Sequence, residues 1–344
     1  VFANYLGEYQ FYKDVLYAYS KKFPSDIIII AHESKECYLD FIKTNLYNKF
    51  RHIHLNVLNT NFFSNKEINL YLSTEAYGVD NIYSIYLFHG QPSKALSFHG
   101  NLMLTYDAFF LYGKMHKEAF EFFAQKYYNK IPAHVCLYEI GYPKSDELIN
   151  EALKDDNSFK SLGVCKNKKT ILYAPAFNKY ASLRENGIEI LQVLAQNDQY
   201  NIIAKLPIDC LRSVNNEYAN GGIDWFQEIN NLQKQYSNLF LYKGDQIDIL
   251  LQKSDILITC ISSVAFEFLA LNKPVVYIDT PYFFEVALKQ DYFPGYDISN
   301  WDKINFINGG KEFGPVVSNI KELPAIIEDV LLHPQKYPFE KKKL

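Results

Sequence analysis

Short apolar runs alternate along the chain with stretches whose hydrophobic residues recur every three or four positions. Asp26-Ile-Ile-Ile-Ile-Ala31 is a β-branched run of strand length, followed by a polar, helical pattern through Phe41 to Tyr47. Further strands are predicted at Ile53 to Leu58, Ile82 to Phe88, Ala108 to Tyr112 and Val135 to Ile140, and Met115 to Tyr128 has the spacing of an amphipathic helix. Strands alternating with helices predict a mostly parallel sheet covered on both faces.

A polar segment from Lys154 to Lys169 interrupts this rhythm and is predicted as a surface linker. The alternation then restarts. Strands are predicted at Thr170 to Ala174, Asn201 to Lys205, Leu239 to Tyr242, Ile256 to Thr259 and Val275 to Ile278. Helices are predicted at Leu183 to Asn197, Ile247 to Leu251, Ser263 to Leu271 and Glu322 to Leu332. Chain order and phase match a Rossmann-like, doubly wound domain. At 344 residues the chain holds about two domains' worth of sequence. The expected fold class is therefore α/β, with two Rossmann-like domains facing each other across a cleft. Residues 1–155 are expected to form one Rossmann-like domain, 165–325 the second, and 326–344 a terminal helix and tail; if polar residues at the strand ends carry the chemistry, the first is the acceptor domain and the second the nucleotide-donor domain.

Composition narrows the function classes. Hydrophobic residues make up 48% and charged residues 22%, as in a globular chain with substantial cores. A net charge of -4 argues against a duplex nucleic-acid partner. No apolar run approaches the ~18 residues that a membrane helix needs, and no secretory leader pattern is readable at Val1; a cytoplasmic setting is expected from the cysteine usage, which suits a reducing compartment. The five cysteines are widely spaced with no Cys-x-x-Cys pair, which suits isolated thiols. His52 and His54 point the same way on a predicted strand, but nothing completes a ligand set, and no metal or other cofactor is expected. Aromatic residues reach 16%; core packing accounts for most of them, with carbohydrate stacking as a further use.

Candidate chemistry gathers at predicted strand ends. After the strand ending at Thr259, Ser262 and Ser263 open a helix whose free N–H groups and two hydroxyls form a cradle for phosphate oxygens. Glu267, one turn on, can accept hydrogen bonds from ribose hydroxyls; the competing reading is an ordinary N-cap at Ser262 and a solvated Glu267. In Leu172-Tyr-Ala-Pro-Ala-Phe177, Pro175 ends a strand and exposes backbone beside the same crevice. Lys205 either neutralises a donor diphosphate or caps an edge. Gly244, after a fourth strand end, lets backbone approach a ligand.

On the acceptor side, Phe88-His-Gly-Gln-Pro-Ser-Lys94 follows a buried strand. His89 there either acts as general base toward an acceptor hydroxyl, with Lys94 near phosphate charge, or pins the Gly90 turn. Gly141-Tyr-Pro-Lys-Ser-Asp146 is an ordinary strand-to-helix turn by composition, with Ser145 or Asp146 capping a helix that begins near Glu147; functionally, Gly141 and Lys144 would line the cleft. The remaining lone histidines, His99, His116, His134 and His333, suit surface or helical roles.

Taken in order, His89-Gly90 through Lys94, Gly141 to Asp146, Ile171-Leu-Tyr-Ala-Pro175, Asp255 to Thr259 with Ser262-Ser263, and Lys273-Pro274 resemble the CDP-glycerol glycerophosphotransferase family. The resemblance spans roughly residues 80 to 280. It implies the GT-B fold, a nucleotide-activated donor held at Ser262 and Ser263, and His89 as base. It also implies a growing glycan or lipid-linked acceptor at the inner membrane face, with peripheral membrane contact. Lys126 to Lys130 or Lys341 to Lys343 would make that contact, although both also suit plain solvated surface. Two departures stand out. Lys205-Leu206-Pro207 occupies the place of a Lys-x-His-Pro sequence, and Cys260-Ile261 that of Asp-Tyr. Both touch the donor side, so a nucleotide sugar stands beside CDP-glycerol as donor. A UDP-sugar 2-epimerase-like isomerase and a catalytically silent nucleotide-sugar binding module are the alternative readings.

Overall fold

A computed structural model of the chain describes residues 2–3, 6–26, 28–32, 39, 50–54, 70–73, 82–88, 90, 102–150, 157–176, 180–212, 221–244 and 247–337. The chain divides into two compact units, with the boundary between Asp146 and Glu147.

The first unit contains strands β1 (Phe2–Ala3), β2 (Ile29–His32), β3 (Arg51–His54), β4 (Leu70–Ser73), β5 (Tyr83–Leu87), β6 (Ala108–Leu111) and β7 (Cys136–Glu139). Its longer helices are α1 (Leu6–Lys22) and α2 (Lys114–Tyr128), with α3 (Lys144–Asn150) crossing into the second unit. β1-β2-β3 and β4-β5-β6-β7 are hydrogen-bonded sets, parallel throughout, and β1 lies against β4. The strand sequence across the unit is thus 3-2-1-4-5-6-7, the doubly wound order. Residues from β5, β6 and α2 build an aromatic core in which Tyr86, Phe88, Phe109 and Phe120 are all buried. Phe109 packs on Phe120 in a tilted arrangement, ring centroids 4.7 Å apart, whereas neighbouring Phe110 faces the other side, edge-on to Tyr138. High aromatic content is spent here on packing.

The second unit contains β8 (Lys169–Tyr173), β9 (Tyr200–Ala204), β10 (Leu239–Leu241), β11 (Ile256–Thr259), β12 (Val275–Ile278) and β13 (Val316–Val317). Its longer helices are α4 (Ser182–Ala195), α5 (Trp225–Gln233), α6 (Asp248–Lys253), α7 (Val264–Ala270) and α8 (Leu323–Leu332). All strands are parallel, in the order β10-β9-β8-β11-β12-β13. Renumbered within the unit this is 3-2-1-4-5-6, so the order in which strands are added to the sheet reverses between β8 and β11. Alternate residues of the sheet, such as Ile171, Ile202, Ile258 and Val276, pack with α4, α5 and α8 into one core.

The structure departs locally from the expected elements. The helix expected near Glu147 begins at Lys144, because the turn closes earlier, with the Ser145 amide donating to Tyr142 O at 2.9 Å. The stretch read as linker holds a short helix at Asn157–Ser161, and its last residue, Lys169, already belongs to β8. A ten-residue π-helical segment, Phe283–Tyr292, follows β12. Phe283 in it is fully buried, but Tyr282 just before it is exposed. The predicted helix at Phe41 to Tyr47 lies outside the described residues.

Candidate active site

Ligands of open parallel sheets collect beyond the carboxyl ends of the strands, where the strand order reverses. In the second unit that place is bounded by Ala174-Pro175-Ala176 after β8 and by Thr259 to Ser263 after β11. The two central strands are clamped at both ends. At the amino end, Asp255 accepts from the Thr170 amide at 2.8 Å and from Lys169 Nζ at 2.7 Å. At the carboxyl end, the Thr259 hydroxyl donates to Ala174 O at 2.6 Å, and the Ala176 amide donates to Cys260 Sγ at 3.4 Å. Cys260, one of the departures from the family pattern, therefore ties the two exits together.

Ser262 and Ser263 are half-buried at this reversal. Ser263, not Ser262, is the N-cap of α7; its backbone is already helical (φ -60°, ψ -21°) and its side chain makes no capping bond. The turn is closed tightly through backbone instead, Ala265 N to Ser262 O at 3.2 Å and Phe266 N to Ser263 O at 3.1 Å. Neither serine hydroxyl is hydrogen-bonded to a described residue. The ordinary-N-cap reading of Ser262 thus does not hold, and both hydroxyls stay available. Glu267 is only 5% exposed, so it is not the solvated side chain of the competing reading. Val264 to Leu269 are buried on every side of this short helix.

The neighbouring strand ends carry the other predicted residues. Pro175 is buried. Lys205 follows β9, next to β8; its amide donates to Tyr173 O at 2.9 Å and its ammonium to Leu206 O at 3.2 Å, with only 9% of the residue exposed. Gly244 follows β10, two strands from β8, and a Cβ there would stand 2.6 Å from the Tyr242 hydroxyl, so that side is filled by protein. Lys205, Pro175, Ser262 and Ser263 come together on adjacent strands; Gly244 is set apart at the sheet edge.

In the first unit, Gly141 takes φ +78° after β7 with open space beside it, and Lys144 is buried at the start of α3. His89 and Lys94 lie outside the described residues. Phe88, the preceding residue in the chain, packs on His116 with ring centroids 4.1 Å apart. Burial pushes the His116 imidazole down to about 3, and its Nδ1 accepts from the Tyr112 amide at 3.2 Å, a neutral histidine inside the core.

Two features at the carboxyl edge have no counterpart among the predicted residues. Asp279, after β12, accepts from Lys311 Nζ at 2.7 Å, Ser318 Oγ at 3.1 Å and the Thr280 amide at 2.9 Å. Burial works to raise this carboxyl, but these donors outweigh it and hold it below the usual range. Glu185, in the first turn of α4, is pushed up to about 7, first by burial and then by the charge of Asp279. Nothing in the local sequence links positions 185, 279, 311 and 318. Among the described residues, no group of three or more His, Cys, Asp or Glu could hold a metal ion.

This geometry has known parallels. The chain is 31% identical over 143 residues to the teichoic acid glycerol-phosphate primase of Bacillus subtilis, covering 41% of this chain and 32% of that one. It is 28% identical over 213 residues to the teichoic acid poly(ribitol-phosphate) polymerase of Bacillus spizizenii, covering 58% and 28% respectively. The matches span no more than about a third of the length of these curated relatives. Its fold is similar to that of the wall teichoic acid polymerase TagF, with TM-score 0.62 at 17% identity over 98% of this chain and 80% of that one. A UDP-N-acetylglucosamine 2-epimerase is also similar, with TM-score 0.56 at 12% identity over 98% and 87%. At such identities both likenesses speak to the two-domain, GT-B-like architecture alone. The family model for CDP-glycerol:poly(glycerophosphate) glycerophosphotransferases matches residues 16–282, taking in β2 through β12 and both strand exits at the reversal. By that match across most of its length, the chain belongs to the CDP-glycerol:poly(glycerophosphate) glycerophosphotransferase family.

Proposed function

We propose that the chain is a transferase that moves a glycerophosphate-type group from a CDP-linked polyol to a hydroxyl of a cell-surface glycan or lipid-linked acceptor. The observation that carries this reading is the pair of unspent serine hydroxyls at the strand reversal of the donor-side unit, in a chain of this family. The acceptor oxygen attacks the phosphorus next to the polyol, the bond from that phosphorus to the bridging oxygen breaks, and the nucleoside monophosphate leaves with the electron pair. His89 takes the proton of the attacking hydroxyl. Backbone N–H groups of the Ser262-Ser263 turn and the ammonium of Lys205 offset charge on the phosphoryl oxygens, with Lys94 beside them. Glu267 and Pro175 border the nucleoside, while Gly141 and Lys144 line the acceptor side. Such a donor and acceptor meet at the cytoplasmic face of the membrane, which the protein touches peripherally. Among the described residues, no helix is long and apolar enough to cross a membrane.

The test is a thermal-shift panel with CDP-glycerol, CDP-ribitol, UDP-sugars and CMP-sugars. A ligand that binds only the folded state at a hundred times its Kd adds about 2.7 kcal/mol of apparent stability. CDP-polyols should raise the melting temperature most. A shift produced by UDP-sugars alone would move the protein to sugar transfer or isomerisation.

A further inference from the structure

Behind the Ser262-Ser263 turn runs a loop that the family motifs do not include. The short helix Asn305–Asn308 ends in two consecutive left-handed residues, Gly309 (φ +75°) and Gly310 (φ +81°). Buried Asn308 holds the loop shut: its Oδ1 accepts from the amides of Gly310 at 3.0 Å and Lys311 at 3.1 Å, and its Nδ2 donates to Asp302 O at 2.8 Å. Lys311 then anchors the loop to Asp279 at the end of β12. The loop is thus built from its own hydrogen bonds and fastened to the same sheet edge.

What it presses on is the turn itself. A Cβ on Gly309 would stand 3.0 Å from Cys260 O and 3.0 Å from Ile261 Cα, both backbone atoms that no rotamer change can move aside. On Gly310 it would stand 2.8 Å from the Phe266 ring in α7. Backbone lies against backbone over the two residues that deliver Ser262, so a Cβ there would have to push that backbone aside by a few tenths of an ångström while holding a left-handed conformation that glycine adopts most easily. We infer that the Asn308-Gly309-Gly310-Lys311 loop sets the position of the Ser262-Ser263 turn, with Gly309 as a positioning residue for donor binding. This rests on the reading of that turn as the donor diphosphate site.

The experiment must separate displacement of the turn from the general strain of a side chain at positive φ. Gly295 supplies the control, since it has φ +83° with nothing within 4 Å of its would-be Cβ. Calorimetric titration of the full chain with CDP-glycerol, well below each variant's melting temperature, gives the affinities. G309A and G295A should both melt lower than the unaltered protein. G309A alone should bind the donor weaker by about tenfold or more, because misplacing a binding group by ~1 Å is costly. Should G309A not fold, N308A unpins the loop without adding an atom at the contact and should weaken binding in the same direction. Donor affinity in G309A, or in N308A, equal to that of G295A, while S262A and S263A bind weakly, would overturn the inference and leave the donor site standing. No binding by the unaltered chain, or undiminished affinity in both serine variants, would overturn the donor site and the inference together.

Discussion

Glu185 shows how one residue's chemistry is set by neighbours far away in sequence. Its carboxyl, in the first turn of α4, is raised from the ordinary glutamate value to about 7 by burial and then by Asp279. The folded protein therefore keeps a proton that the unfolded chain releases between about pH 4.5 and 7, and stability falls as pH rises through that window and levels off above it. In E185Q this slope should be lost. Urea midpoints measured from pH 5 to about 8 should decline less in the variant, which should also be the more stable protein at the upper end. Parallel pH profiles for the two proteins would remove Glu185 from this role. Gly309 belongs to the same scale: Asn308-Gly-Gly is not among the residues singled out from the sequence, and what the glycine touches is some fifty positions away.

At the scale of elements, Lys273 makes the same point. The Lys273-Pro274 pair reads as one member of a motif series, whereas the structure makes it the stop for another element. Its ammonium donates to Leu251 O at 3.0 Å, Gln252 O at 2.5 Å and Ser254 O at 2.8 Å, satisfying carbonyls that the end of α6 leaves unpaired. Burial outweighs the nearby charge of Asp255 and leaves the Lys273 pKa below its usual value. K273M should keep the stem's packing and lose the bonds, costing about 1 to 3 kcal/mol in urea unfolding. Unchanged stability would mean that water serves those carbonyls equally well. Elements with strong local patterns, β8, β9, β11 and β12 among them, were legible because a fully buried parallel strand reads as an unbroken apolar run. α5 was missed although Trp225, Ile229 and Leu232 recur at helical spacing and Asp224 caps the Gln227 amide at 2.9 Å. Its polar intervening residues resemble loop composition. β13 has two residues, too short for a period to register.

For the whole molecule, the family series divides between the two units, with His89 in the first and the serine pair in the second. On the proposed mechanism, H89A should lower transfer by about a hundredfold or more. Donor affinity, which the same proposal assigns to the second unit, should stay within about threefold of the unaltered protein, since removing a proton acceptor that acts only in the transition state leaves ground-state binding alone. A variant with full turnover would release His89 from the mechanism, and a parallel loss of affinity would make it a binding residue. By itself the sequence determined the α/β class, the two Rossmann-like halves and the strand ends at which polar residues stand, because hydrophobic period and turn chemistry are local properties of the chain; the family was carried by the resemblance of an ordered motif series. Only the tertiary structure decided that β8 and β11 are the neighbours at the reversal, that Cys260 and Thr259 bind their exits together, and that Glu185, Asp279 and Lys311 share one edge. Strand order depends on the crossovers that carry the chain from one face to the other. Which side chains meet follows from that order, not from their spacing along the chain.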